Sequence, residues 1–267
     1  MDSLFWNRRI EILSGGREWI FPTLNMTFTI NFDSDTIPDE TDLSIFNLSD
    51  DSIANIKSGQ DLVINAGYGT DLGNVFAGVI QYASLEQNGV DRELKIHAIN
   101  VSDNYLSTTI NYTYGAGVTS EHLIRDILGY VGIIPNVVNL ASPQTYQLGF
   151  CANGKIIDIV RRIANDADSK VINRNGSLYI VADYSGAEDI EWQANAKNGL
   201  VDIKPIDDAS TPAKYTIKTL LNHAIQPYVL FNIDSTTFQG TAIAMEGSHV
   251  CGGLSGDFYT ETKIIPI

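Results

Sequence analysis

Alternation of apolar and polar residues dominates the first hundred positions. In "NMTFTINF", Met26, Phe28, Ile30 and Phe32 fall on one side, and Asn25, Thr27, Thr29 and Asn31 on the other. That is the period of a strand with one face in a core. "ELKIHAI" repeats it, with Leu94, Ile96 and Ala98 inward and Glu93, Lys95 and His97 outward. "LSIFNL", "DLVINAGY" and "VFAGVIQYASLE" are short and rich in β-branched or aromatic residues, and predict further strands. Asn88-Gly89 separates two such runs, and Asn-Gly supplies the positive φ angles of a tight hairpin turn. One short helix interrupts them. In "LSDDSIANIKSG", Ser49 is placed to cap the first turn, and Asp50 and Asp51 suit its positive end. Lys57 suits the last turn and Gly59 a left-handed stop. Short strands at this spacing predict a small barrel or sandwich.

The period changes over residues 108–185. "TSEHLIRDILGYVG" places Leu123, Ile124, Ile127, Leu128 and Val131 on one helical face. "NGKIIDIVRRIANDAD" does the same with Ile156, Ile157, Val160, Ile163 and Ala164, with Asn153 as its expected cap. "SKVINRNGSLYIVADY" then predicts a hairpin turning at Asn175-Gly176. From about residue 186 the strand pattern returns in "KYTIKTLL", "YVLFNI", "TAIAME" and "DFYTETKIIPI". The expected fold is therefore mainly β with an α/β insert.

With 267 residues, the chain has room for roughly two domains of about 150 residues. An apolar content of 44% supports packed cores. The 32 acidic against 17 basic residues leave a net charge of −15, which argues against a protein that grips nucleic acid. The longest basic runs are the pairs Arg8-Arg9 and Arg161-Arg162. An acidic surface can instead repel DNA. "MDSLFWNRRI" lacks the apolar stretch of a signal peptide, and no window has transmembrane character, so a soluble, cytoplasmically made protein is expected. Cys151 and Cys251 suggest no disulfide framework, and both are expected reduced and half-buried.

Candidate chemistry starts with His249 and Cys251 in "EGSHVCGGLSGDFYTETKIIPI". Residues two apart on a strand share a face, so imidazole and thiol could be neighbours. A thiolate mechanism also needs a group to orient the base, and none is specified. Two ligands make half of a zinc site, which His223 and Cys151 would have to complete. A packed cysteine in a terminal hairpin is the better reading. Asp33, Asp35, Asp39, Glu40 and Asp42 crowd the loop "DSDTIPDETD", but in an order unlike an EF-hand, and Pro38 fits a solvated turn. The glycines of "AGYGTDLGNVFAG" lack the Gly-Lys-Ser/Thr of a phosphate loop and suit turns and bulges. No acid sits where its pKa would obviously rise. No catalytic, cofactor-binding or metal residue is assigned, and no enzyme is expected.

Two segments carry a resemblance. Ser44 to Ser49, Ala66 to Tyr68 and Phe76 to Ile80 resemble the first barrel of baseplate-hub, late-control-D-like tail proteins of long-tailed bacteriophages. Gly199 to Val201, Leu220 to Asn222, Pro227, His249, Gly252, Gly253 and Phe258 to Thr260 resemble that family's second barrel. "GFCANGKIIDIVRRIANDADSKVINRNGSLYIV" is similar to the insert between them. Val229 to Ile233 is more apolar than that family's strand, and Val250-Cys251 replaces polar residues.

The resemblance implies two tail-tube-like β-barrels, 1–107 and 186–267, flanking a helix-plus-hairpin domain, 108–185. It implies a homotrimeric, pseudo-hexameric ring joining a six-fold tail tube to a three-fold spike or tip. The implied partners are the tail tube protein, other baseplate proteins, the spike or tip protein and a tape measure protein. DNA would pass through the bore without specific binding, unless the particle is a DNA-free tail-like bacteriocin, and the protein would be a virion component. A β-rich cell-wall hydrolase and a receptor- or sugar-binding tail module are the competing classes. The hub reading asks for two separate strand-built cylinders; ends merged into a single sheet, or ends that cannot be superposed on one another, would undo that picture.

Overall fold

A computed structural model of the chain describes residues 7–33, 39–100, 108–174, 177–182, 191–208 and 210–267. In chain order, β1 (Arg8–Ser14), β2 (Arg17–Phe21), β3 (Met26–Phe32) and β4 (Glu40–Phe46) precede helix α1 (Asp50–Asn55), and β5 (Asp61–Tyr68), β6 (Asp71–Asn88) and β7 (Asp91–Asn100) follow it. The insert holds β8 (Thr109–Tyr114), β9 (Val118–Thr119), α2 (Ser120–Gly129), β10 (Val137–Asn139), β11 (Thr145–Tyr146), β12 (Phe150–Lys155), α3 (Ile156–Asp166), β13 (Lys170–Arg174) and β14 (Ser177–Val181). The chain ends with β15 (Glu191–Ala194), β16 (Leu200–Pro205), β17 (Tyr215–Leu220), β18 (Leu230–Asp234), β19 (Gln239–Cys251) and β20 (Phe258–Pro266). The fold is mainly β with a small helical part, and the described residues outside the insert form one compact unit while the insert forms another.

The first unit is a single 13-stranded sheet ordered β16-β17-β20-β19-β3-β4-β7-β6-β5-β1-β2, with β18 on β19 and β15 on β18. The two ends of the chain are thus merged into one sheet, which corrects the expectation of two separate cylinders. Their junction is the antiparallel pair β3–β19, which runs from Phe28↔Cys251 to Phe32↔Gly247. Pairing satisfies the backbone groups that each strand would otherwise leave on an open edge. The packing nonetheless stays double. One hydrophobic cluster is built from residues 10–98 and borrows Leu221, Cys251 and Phe258 from the far end. The other is built from residues 194–264 and borrows Phe32 from the near end.

Strand β19 makes the junction possible. Its first part pairs with β18, from Gln239↔Asp234 to Ile243↔Leu230, and its last part pairs with β3. Between them a bulge separates Ala244 from Glu246 in the ladder to β20. One extra residue shifts the two-residue alternation by one. Ala242 and Ala244 face in before the bulge, and His249 and Cys251 face in after it. A second bulge, between Ile80 and Tyr82 of β6, buries Ile80 and leaves Tyr82 exposed.

Several local expectations shift. The Asn88-Gly89 turn moves by one residue: Asn88 pairs with Asp91, so Gly89 (φ +67°) and Val90 form the loop. Ser49 does cap α1, accepting from the Ser52 amide, but α1 ends at Asn55 before Lys57 and Gly59. Asn153 lies inside β12, so Lys155 takes the cap position of α3 without a side-chain hydrogen bond. Extended pairing of Asn153 with Asn111 outcompetes its capping propensity. Asn175-Gly176 lies outside the described residues.

Inside the insert, Thr119 caps α2 and Leu123, Ile124, Ile127 and Leu128 are fully buried, whereas Val131, expected on the same face, lies beyond the helix end and is half-buried. The buried residues share a core with Ile156, Val160 and Ile163 of α3. Three small sheets accompany this core: the ribbon β8–β12, the pair β9–β11, and β10-β14-β13.

Candidate functional site

Of the sequence candidates, His249 and Cys251 lie at the junction, and there they do structural work. His249 is 1% exposed. Its Nδ1 lies 2.8 Å from Thr260 Oγ1 across β19–β20, and Thr260 Oγ1 also accepts the Asn222 amide at 3.1 Å. A backbone hydrogen bond to Ile225 engages the ring as well. A neutral ring that accepts the Thr260 hydroxyl on Nδ1 and donates to the Ile225 carbonyl satisfies every group. Burial, reinforced by the charge of His223, pushes the His249 pKa down to about 3. Its ring packs on Phe32 at 4.9 Å between centroids, so the borrowed side chain of the second core seats the histidine.

Cys251 points the same way but into the first core, with its Sγ 3.5 Å from the Met26 carbonyl. Burial pushes its thiol pKa up. Nucleophilic cysteine chemistry needs the opposite: a lowered thiol pKa beside an imidazole ready to protonate. The pair is a packing device. Neither cysteine is half-buried: both are free, Cys251 buried and Cys151 exposed on β12 of the insert.

His223 sits beside the junction. Its Nε2 lies 3.0 Å from Asp71 Oδ1, linking the loop after β17 to the start of β6. The ring occupies space above Gly73, where an added Cβ would come within 2.2 Å of His223 Nδ1. Trp192, Asn198, Tyr68 and Asn222 line a cleft of about 250 Å³ next to it. Arg8 fastens the far side, donating to the Gly256 carbonyl at 2.7 Å with its guanidinium over the Phe258 ring. Tyr68 meets the same ring edge-on at 5.3 Å.

The acidic loop forms no cation site among its described residues. Asp42 pairs with His97 at 2.9 Å, and Asp39 Oδ1 accepts the Asp33 amide. Asp35 and Pro38 lie outside the described residues. Among the described residues no three His, Cys, Asp or Glu side chains gather as metal ligands. Among the described residues, the buried polar ones are Ser, Thr, Asn and His, with no carboxylic acid. Sequence reasoning missed the dependence of His249 on Thr260 and Asn222, and of Gly73 on His223. Only alternation on "DFYTETKIIPI" pointed to Thr260 as an inward residue.

The fold of the chain is shared with solved structures of tail proteins. The chain is similar in structure to a tail protein from Neisseria meningitidis MC58, with a TM-score of 0.69 at 13% identity over 97% of this chain and 96% of that one. The 43 kDa tail protein of prophage MuSo2 from Shewanella oneidensis gives 0.69 at 9% identity, covering 97% and 98%. The Escherichia coli c3393 protein, a type VI secretion system component described as similar to T4 tail proteins gp27 and gp5, gives 0.61 at 10% identity, covering 91% and 73%. No protein-family model and no curated protein sequence matches the chain.

Proposed function

We propose that the protein is a structural component of a phage tail baseplate, the hub that joins tail tube to spike. One observation carries the reading. A single sheet wraps two cores, and the whole of this architecture, insert included, aligns with tail proteins over nearly their full length. In this reading residues 1–107 and 186–267 form two tube-like barrels that share the β3–β19 junction instead of standing apart. Residues 108–185 form the insert. Three copies then present six similar units to a six-fold tube and three to a three-fold spike. The tube protein, other baseplate proteins, the spike or tip and a tape measure protein are its neighbours. DNA slides through a bore whose acidic walls repel phosphate, in keeping with the net charge of −15.

The role is non-enzymatic in this reading. Electron microscopy of tail particles carrying a tagged chain tests the proposal. Three copies in a ring between tube and spike are expected. A tag at the fibre tips or along the whole tube would overturn it.

A further inference from the structure

The ribbon β8–β12 treats its two edges differently. Ile156 N donates to the Thr108 carbonyl just beyond the ribbon. Antiparallel alternation then makes Ile110, Tyr112 and Tyr114 the residues that exchange hydrogen bonds with Gly154, Ala152 and Phe150. The amides and carbonyls of Thr109, Asn111 and Thr113 therefore face away from β12. On the opposite edge Cys151, which stands across from Thr113, presents its carbonyl outward, and Arg162 takes it at 2.8 Å while lying over Phe150. Among the described residues nothing comparable covers β8: none bonds its outer edge, and Thr109, Asn111 and Thr113 are exposed.

The β8 edge also lacks the devices that discourage strand pairing. "TINYTY" has no charge and no proline. The outer strands of the large sheet do: β16 carries a bulge, Lys204 and Pro205, and β2 is short, charged at Arg17 and Glu18, and followed by Pro22. Tyr112 on β8 and Tyr130 next to it are two exposed aromatic rings, 6.1 Å apart. The strand is held rigid at its end, where the Tyr114 hydroxyl donates to Asp126 at 2.7 Å.

We infer that β8 is a docking edge that accepts an extended segment of another protein as a third strand of the ribbon. The inference rests on the hub reading above, which also selects the occupant. Pairing of β8 with β8 of a second copy needs a two-fold axis, and a three-fold ring has none. The occupant is a different strand from a partner in the assembly. Its apolar side chains alternate to cover Tyr112 and Tyr130, and the residues between are uncharged or basic, since this chain is strongly acidic.

Hydrogen exchange read at single residues tests this, comparing the purified chain with tail particles that contain it. The amides of Thr109, Asn111 and Thr113 are expected to slow by at least about tenfold in the particle, while those of Ile110, Tyr112 and Tyr114 are protected in both. Asn111→Pro removes an outward donor without breaking the ladder to β12. Asn111→Lys keeps the backbone and adds a charge to the edge, so it decides the matter should the proline variant not fold. Either variant is expected to enter particles poorly or to lose the added protection. Equal exchange of the outward amides in both samples, with the chain present in particles, overturns the inference and leaves the hub reading standing. A solution dimer abolished by Asn111→Pro overturns it too, because the occupant would be a second copy. Absence of the chain from tail particles sinks both.

Discussion

The imidazole of His223 lies in the space that a side chain on Gly73 would need, with Nδ1 2.2 Å from the position of an added Cβ. Glycine at position 73 therefore lets β6 and the loop after β17 approach closely enough for His223 to reach Asp71, 152 residues away in sequence. Gly73→Ala is expected to destabilise the protein by about 1–3 kcal/mol, the usual cost of overpacking. Gly73→Ala with His223→Ala should recover much of that loss, a coupling that thermal denaturation of the four variants would read. Additive effects would rule the contact out.

His249 makes stability fall in acid. Its native pKa of about 3 lies below the ordinary value of 6.5, so the unfolded chain binds a proton that the native state refuses. The contribution is complete above about pH 6.5 and declines by about 1.4 kcal/mol per pH unit down to the native pKa. His249→Phe should flatten this slope between pH 6 and 4 while costing about 1–3 kcal/mol at neutral pH, because Thr260 and Ile225 lose a partner. Urea titrations at several pH values, wild type against variant, measure the difference.

The two thiols should separate cleanly. Cys151 is exposed and Cys251 buried with a raised pKa, so an aromatic disulfide reagent should titrate Cys151 in the native protein and reach Cys251 only after unfolding. Rapid labelling of Cys251 under native conditions would show that the junction opens.

Phe76 and Phe231 are fully buried, one in each core of the continuous sheet. Truncating either to Ala should cost about 3–5 kcal/mol. Because β19 serves both cores, both variants should lower a single calorimetric transition of this unit, and two resolved transitions would mean the cores unfold independently.

Much of this was legible in the chain. Met26 to Phe32 and Leu94 to Ala98 alternate as read, and the stripes on α2 and α3 are buried. Those segments are periodic, and a strand or helix with one apolar face can satisfy it in only one way. The errors fell where the ladder decided against local propensity. Asn153 prefers a cap in isolation but is claimed by pairing with Asn111, and "TAIAME" and "SHVC" looked like separate pieces although they are one strand.

By itself, then, the order of residues determined which segments are strands, which faces are apolar and that a helical insert divides the chain, because alternation is a local property. The tertiary structure alone decided that His249 faces inward, since a bulge before it reverses the alternation. It alone decided that Phe32 and Cys251 cross into each other's halves. Those outcomes depend on long-range strand pairing between the ends of the chain, where the gain from closing two sheet edges is shared by residues more than two hundred positions apart.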